Sequence, residues 1–161
     1  MIILNIFRTY RVWIVACALL GAAPAIAQLL AADDLGQVAA EARAKRVPVL
    51  IAFMQQSCPY CAVARSNHLL PLQSDPLWRN RVLIREVDVD RNTPMRDFPG
   101  VPTTHRAFAR LHDVRKVPTL IVFDAEGKSI GSPLVGLLTE DFYRLYIEQA
   151  IEGGLNSMRG R

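Results

Sequence analysis

Two cysteines separated by two residues, Cys58 and Cys61, constrain this chain more than any other feature. They follow an apolar run at residues 47–53, of the kind that a buried central strand shows, and they open a stretch with helical periodicity. Pro59 takes the first helical turn, where its missing N–H costs nothing. A dithiol placed where a strand leads into a helix can close and reopen a small disulfide ring. The sequence therefore predicts thiol redox chemistry at this point.

The N-terminal segment predicts a secretory signal peptide covering residues 1–27. Residues 1–11 carry two arginines and no acidic residue, residues 12–20 are apolar, and Ala25-Ile26-Ala27 supplies a small-residue cleavage pattern. Cleavage is expected after Ala27. An uncleaved membrane anchor is the alternative, because the apolar stretch is nearly long enough to span a bilayer. Lipid attachment at Cys17 is not expected, since the apolar run continues well past it.

Removal of the signal changes the charge and the cysteine count. Loss of Arg8 and Arg11 lowers lysine plus arginine from 19 to 17 against 15 acidic residues, which leaves a net charge near +2. The remaining arginines are scattered singly, as on a solvated surface, so no nucleic-acid partner is expected. The mature chain keeps two cysteines and has no disulfide framework. Its pair is structural, redox-active or metal-binding.

The rest of the chain alternates helical and strand patterns, which predicts one α/β domain over residues 28–161. The expected order is helix, strand, helix, strand, helix, hairpin and helix, at residues 33–46, 47–53, 58–70, 82–89, 103–114, 118–135 and 139–152. The helix caps are expected at Asp33 or Asp34, Thr103 or Thr104, and Thr139. A βαβ half followed by a ββα half predicts a mixed central sheet with helices on both faces.

Some boundaries and buried faces are predicted in more detail. The second helix is expected to stop before Pro71, and the last to end at Gly153-Gly154. Residues 91–102 are expected to form a loop near the active site or a plain connector. The inward faces are expected at Ala107, Phe108, Leu111 and Val114 in the third helix, and at Phe142, Leu145, Tyr146 and Ala150 in the last.

Cys58 is the candidate nucleophile and Cys61 the resolving thiol. A helix N-terminus carries partial positive charge and free N–H groups, which stabilise a thiolate at Cys58. This thiolate attacks a partner disulfide, and Cys61 then attacks the mixed disulfide to release the reduced partner. Pro59 stiffens the turn, and Tyr60 offers an apolar surface beside the sulfurs to a substrate.

Zinc binding and a structural crosslink are the alternative uses of this pair. A zinc site needs two further ligands, no third cysteine remains in the mature chain, and His68, His105 and His112 form no paired ligand spacing. A purely structural disulfide in so small a ring would restrain little chain entropy. We therefore expect no metal and no cofactor beyond the redox-active disulfide of Cys58 and Cys61.

Pro118 opens the next continuous apolar run, where a cis proline could turn the chain sharply. Together with the cysteine motif, Val117-Pro118-Thr119 strongly resembles the thioredoxin superfamily, over residues 33–153. The resemblance implies a thioredoxin fold in which a cis Pro118 packs against the active-site disulfide and Val117 faces the substrate. An ordinary edge-strand proline is the alternative.

Two positions depart from the ordinary thioredoxin pattern. Ser57 stands where thioredoxins have a tryptophan, and Cys-Pro-Tyr-Cys is a glutaredoxin-type sequence. Ala52 stands where thioredoxins have a buried aspartate that assists the second cysteine. Glu86, on the neighbouring strand, is the candidate proton acceptor for Cys61. A solvated strand-edge carboxylate is the alternative for this residue.

A narrower resemblance is to exported thioredoxin-like proteins of the SoxW and SoxS type from bacterial sulfur-oxidation operons. It rests on residues 58–61, 85–90, 97–100, 117–119, 124–128 and 134–137. The resemblance implies a periplasmic thiol–disulfide oxidoreductase that reduces a disulfide-bearing sulfur-carrier protein. A membrane thiol transporter would supply its electrons. A disulfide oxidase or isomerase and a redox-inactive binding module are the alternatives.

Overall fold

The computed structural model describes residues 28–137 and 139–160, so the expected signal peptide lies outside the described residues. The helices are α1 (Leu35–Lys45), α2, α3 (His105–Leu111) and α4 (Glu140–Arg159), where α2 joins Pro59–Val63, Ala64–Leu69 and Leu70–Ser74. The strands are β1 (Val49–Met54), β2 (Leu83–Asp88), β3 (Pro94–Arg96), β4 (Pro102–Thr104), β5 (Thr119–Phe123) and β6 (Ser129–Val135). Within these ranges, no helix combines the length and apolarity needed to cross a bilayer.

The central sheet has the strand order β2-β1-β5-β6 and is mixed. Strand β1 runs parallel to β2 and antiparallel to β5, and β5 runs antiparallel to β6. Every residue of β1 and of β5 is buried. Since neighbouring side chains in a strand point to opposite faces, both faces of these strands are covered. The structure confirms the thioredoxin fold that the sequence predicts.

The predicted caps set the starts of two helices. Asp34 Oδ1 accepts a hydrogen bond from the Gln37 N–H at 2.9 Å. Thr104 Oγ1 accepts one from the Ala107 N–H at 3.2 Å. Each side chain thereby satisfies a backbone donor that has no partner inside its own helix.

Helix α2 continues past Pro71, which corrects the expected end at this residue. A π-helical segment, Ala64–Leu69, interrupts the helix, and the Leu70 N–H donates to the Arg65 carbonyl five residues back. Pro71 follows at once as the second residue of the next α-helical segment, so the hydrogen-bond pattern has already shifted where proline has no N–H to donate. The helix ends at Ser74.

Helix α4 buries a different face from the predicted one. It also continues beyond Gly153-Gly154, the end that the sequence predicts. Its Phe142 and Leu145 side chains are 53% and 46% exposed. The buried residues are Tyr143, Ile147, Ile151, Gly154 and Leu155, a stripe with helical spacing. Gly154 lies within this stripe because a Cβ there would come 2.9 Å from Val122 Cγ1. The glycine allows the helix to approach β5 closely.

Two other details differ from the sequence prediction. Leu111 of α3 is 74% exposed and Ala107 is also exposed, while Phe108 is buried as expected. Residues 91–102 are not a plain loop, since β3 pairs with β4 there. Strands of three residues, each beginning with proline, leave no periodic pattern that a sequence could show.

Candidate active site

Cys58 is the N-cap residue of α2, and its sulfur accepts the capping hydrogen bond. Cys58 Sγ accepts a hydrogen bond from the Cys61 N–H at 3.1 Å, and Pro59 takes the first helical turn. Both cysteines are free thiols. A backbone donor directed at sulfur stabilises negative charge there, so the local fold favours Cys58 as the thiolate of the pair.

The loop before β5 brings a second backbone group to this sulfur. Cys58 Sγ lies 4.0 Å from the Val117 carbonyl oxygen, a distance at which its thiol can donate a weak hydrogen bond. The Val117–Pro118 peptide bond is cis, as expected from the sequence. The Pro118 carbonyl accepts a 2.7 Å hydrogen bond from the Gly136 N–H, which ties this loop to the segment after β6. The start of α2 and the proline loop therefore form one site.

The side chains around the sulfurs leave one sulfur accessible. Pro59 is exposed, and Tyr60 is 65% exposed beside it. Cys58 and Val117 are partly buried, whereas Cys61 is fully buried. An incoming disulfide can reach Cys58 but cannot reach Cys61 directly.

Cys61 has the properties of a protected second thiol. Burial raises the pKa of the Cys61 thiol to about 12, and its hydrogen bond with Cys58 contributes further. A backbone hydrogen bond at Gln55 and, to a smaller extent, the positive charge of Arg65 act in the opposite direction and lower this pKa. Cys61 therefore stays protonated at neutral pH and must lose its proton when it reacts.

Glu86 lies where the sheet register places it, opposite Ala52 of β1. Its carboxylate accepts two hydrogen bonds from Arg65, at 2.9 Å from Nε and 2.7 Å from Nη2. Its side chain is 20% exposed, so it is not a solvated strand-edge group. The carboxylate is held on Arg65, and no hydrogen bond links it to Cys61 among the described residues.

Arg65 is the residue of the site that sequence reasoning missed. It follows Cys61 by four residues, the spacing that places two side chains on one helix face. The bidentate ion pair with Glu86 fixes its guanidinium and raises the pKa of Arg65. The i,i+4 spacing from Cys61 is the only sequence signal for Arg65, and it does not show the partner, because the position of Glu86 opposite Ala52 depends on the strand register.

A buried aromatic pair lies on the inner side of the site. Tyr143 is fully buried, and burial and the charge of Cys61 raise the pKa of its hydroxyl. The His68 ring meets it edge-on, with ring centroids 5.1 Å apart. Among the described groups, neither Tyr143 OH nor His68 Nε2 has a hydrogen-bond partner. The two rings therefore pack against each other in the interior, and Tyr143 is close enough to Cys61 for their charges to interact.

Arg65→Gln is expected to slow the attack of Cys61 on a mixed disulfide by about twofold to tenfold at pH 7, because loss of a nearby positive charge makes the thiol harder to ionise. The physical reason is that the guanidinium lowers the pKa of Cys61. Stopped-flow measurement of the resolving step between pH 7 and 9 gives the rate and its pH profile. The first step, attack by Cys58, should change less.

The variant also leaves Glu86 without its partner, so the double variant Arg65→Gln/Glu86→Gln separates the two effects. If the slower resolution comes from lost positive charge, the double variant remains slower than the parent. Full recovery in the double variant would instead assign the effect to the unpaired carboxylate. Arg79→Gln, at an exposed position beyond the end of α2, is the matched charge control.

The helix start carries one accessible thiol and one buried thiol, and it faces a cis-proline loop. On this fold, that arrangement is the architecture of a dithiol redox protein. Comparison with known proteins supplies the family. Residues 35–151 match the family described as the thioredoxin-like domain, and the chain belongs to this family. No curated protein sequence matches the chain significantly.

Solved structures show the same fold at low sequence identity. Mitochondrial thioredoxin 3 of Saccharomyces cerevisiae is 18% identical with a TM-score of 0.52, over 77% of this chain and 93% of that chain. Thioredoxin O2 of Arabidopsis thaliana is 19% identical with a TM-score of 0.53, over 78% and 96%. A thioredoxin-fold protein of Helicobacter pylori is 17% identical with a TM-score of 0.52, over 68% and 72%.

Proposed function

We propose that this protein is a periplasmic thiol–disulfide oxidoreductase that reduces a partner protein through Cys58 and Cys61. The observation that carries the proposal is the position of Cys58 Sγ, which receives the Cys61 N–H at 3.1 Å and lies 4.0 Å from the Val117 carbonyl oxygen. An accessible sulfur with a backbone donor, next to a buried thiol, is the arrangement that two-step disulfide exchange requires.

The reaction begins at Cys58. Its thiolate attacks one sulfur of the partner disulfide, a mixed disulfide forms, and the other partner sulfur leaves as a thiolate that takes up a proton. Cys61 then loses its proton and attacks Cys58 Sγ. A Cys58–Cys61 disulfide forms and the second partner sulfur leaves. Two electrons pass to the partner, and a thiol donor must later reduce the pair.

The neighbouring groups receive roles from their positions. Pro59 and Tyr60 form an exposed surface beside the sulfur, which an incoming substrate can cover. Val117, whose carbonyl oxygen lies 4.0 Å from Cys58 Sγ, precedes the cis Pro118 and is assigned the backbone that faces the substrate. Glu86 acts on Cys61 through Arg65, since its carboxylate is bound to the guanidinium. In this proposal Glu86 is a positioning residue.

The cellular assignment rests on the resemblance to exported proteins of the SoxW and SoxS type. In this assignment residues 1–27 direct export and are removed after Ala27. The partner is then a disulfide-bearing periplasmic protein, such as a sulfur carrier whose cysteine must stay reduced, and a membrane thiol transporter supplies electrons. N-terminal sequencing of protein from a periplasmic fraction tests the export step, since mature protein should begin at Gln28.

The decisive experiment is equilibration of the purified mature domain with glutathione buffers, followed by trapping and counting of free thiols. A reductant should have a potential of about −270 mV, as thioredoxin has, and an oxidant one of about −120 mV. A value at the oxidant end would contradict the reducing direction. If the two cysteines exchanged no electrons with glutathione at any ratio, redox activity would be contradicted altogether. The protein would then be interpreted as a binding module.

A further inference from the structure

A cationic groove opens beside the reactive sulfur. It has a volume of about 410 Å³ and is lined by Arg106, Arg110, Arg115, Lys116, Asp90 and Val117, among other residues; we call it the basic groove. Val117 joins this groove to the active site, because its carbonyl oxygen lies 4.0 Å from Cys58 Sγ. A polypeptide with its disulfide at Cys58 can therefore extend directly into the basic groove.

The charges of the basic groove are poorly compensated within the described chain. Four lining side chains are cationic, and Asp90 is the single carboxylate among the described lining residues. Of the four cations, Arg115 alone makes an ion pair with a described carboxylate, that of Asp113 at 2.7 Å. Both partners of this pair are largely exposed, at 82% and 77%, so water screens the attraction strongly.

The other cations remain available to a ligand. Arg106 donates to the backbone carbonyl of Asp90, which leaves its charge unneutralised. Arg110 and Lys116 are exposed and enter none of the ion pairs found among residues 28–137 and 139–160. The lining also includes the apolar side chains of Val89, Ala109 and Val114. A chain with carboxylates spaced around apolar side chains complements such a surface.

We propose that the basic groove binds an acidic polypeptide segment that flanks the target disulfide of the partner protein. This inference rests on the proposed exchange function and names the chemistry of its substrate. The cations attract the acidic segment during diffusional encounter and hold it while Cys58 attacks. A segment rich in lysine is repelled. Partner choice is thus set by charge next to the disulfide as well as by access to Cys58.

Two synthetic peptides test the proposal. Each contains the same intramolecular disulfide, flanked by three glutamates in one peptide and by three lysines in the other. At low ionic strength the reduced protein should reduce the acidic peptide at least about tenfold faster, within the range of electrostatic steering. The preference should shrink in 0.5 M NaCl because salt screens the charges. Quenched-flow sampling with thiol trapping measures both rates.

The double variant Arg110→Gln/Lys116→Gln should lose most of this preference. The matched control is Arg79→Gln/Arg159→Gln, which removes the same charge from exposed positions outside the basic groove and should keep the preference. Uncharged hydroxyethyl disulfide corrects for any change in the intrinsic reactivity of Cys58.

Equal rates for the two peptides, or an equal loss of preference in the control, would overturn the inference. Reaction of hydroxyethyl disulfide in the same experiment would then show that exchange itself survives. Binding of the basic groove to phosphatidylglycerol vesicles in place of the acidic peptide would also overturn it. Failure of every disulfide to react would overturn the proposed exchange function as well.

Discussion

Replacement of Cys58 by serine is expected to reduce disulfide exchange by more than about 10³-fold, because the other thiol of the described residues, Cys61, is poorly placed to replace it. Cys61 is fully buried, and its pKa is raised to about 12. Burial is the largest cause of this raised pKa and persists in the variant, so Cys61 stays mostly protonated at neutral pH and is a poor nucleophile. The rate of peptide disulfide reduction, followed by trapping of released thiols, measures the loss.

Cys61→Ser should have a different consequence. Cys58 remains in place and attacks the partner, but no second sulfur can resolve the mixed disulfide. The partner should therefore accumulate covalently bound to Cys58, visible as a heavier species by mass spectrometry under non-reducing conditions. Addition of dithiothreitol should release it. Ser57→Ala, one residue before the nucleophile, is the control that should leave both steps intact.

The two variants together decide the assignment of roles. If Cys58→Ser retained exchange, Cys61 would have to be the nucleophile, which would conflict with its burial. Equal turnover in Cys61→Ser and the parent would show that the second thiol is dispensable. If both variants bind a partner as well as the parent does, and the parent itself transfers no electrons, the protein is a docking module.

Sequence reasoning succeeded where local patterns decide the structure. The apolar runs of β1 and β5 are buried throughout, as continuous hydrophobic strands in a sheet covered on both faces should be. Asp34 and Thr104 cap their helices through local hydrogen bonds. The hairpin expected over residues 118–135 turns at Asp124 and Gly127, where the Gly127 N–H donates to the Asp124 carbonyl. Each of these features depends on residues close in sequence.

The face of α4 depends on tertiary packing and could not be predicted in this way. The helix carries two apolar stripes side by side. The stripe with Phe142 and Leu145 is exposed, and the stripe with Tyr143, Ile147 and Ile151 is buried. Close contact with β5 selects the buried stripe, which contains Gly154. A helical period cannot distinguish the two, because it gives spacing along the helix but not the face that meets the sheet.

Arg65 was missed for a related reason. Its role depends on the register between β1 and β2, which places Glu86 opposite Ala52 and within reach of the guanidinium. Such a pairing between a helix and a strand 21 residues apart leaves no local periodic signal. The sequence could place the two cysteines, but not the charge that lowers the pKa of the second one.

The adjacent glycines of α4 are expected to respond oppositely to replacement by alanine. At Gly153 an added Cβ meets no described atom within 4 Å, so Gly153→Ala should stabilise the fold by about 0.5–1 kcal/mol through helix propensity. At Gly154 the same Cβ would lie 2.9 Å from Val122 Cγ1 and 3.1 Å from Pro48 Cβ. Overpacking of about 1–3 kcal/mol should exceed the propensity gain, so Gly154→Ala should lower the free energy of unfolding.

Urea unfolding of the reduced mature domain, followed by circular dichroism, measures both variants against the parent. Each is the control for the other, since the chemical change is identical and the positions are neighbours in one helix. Stabilisation by both alanines would mean that α4 can move away from β5 at little cost. Because Val122 is β-branched and Pro48 is cyclic, neither side chain can rotate freely out of the way, and the close approach of helix and sheet at Gly154 should resist that movement.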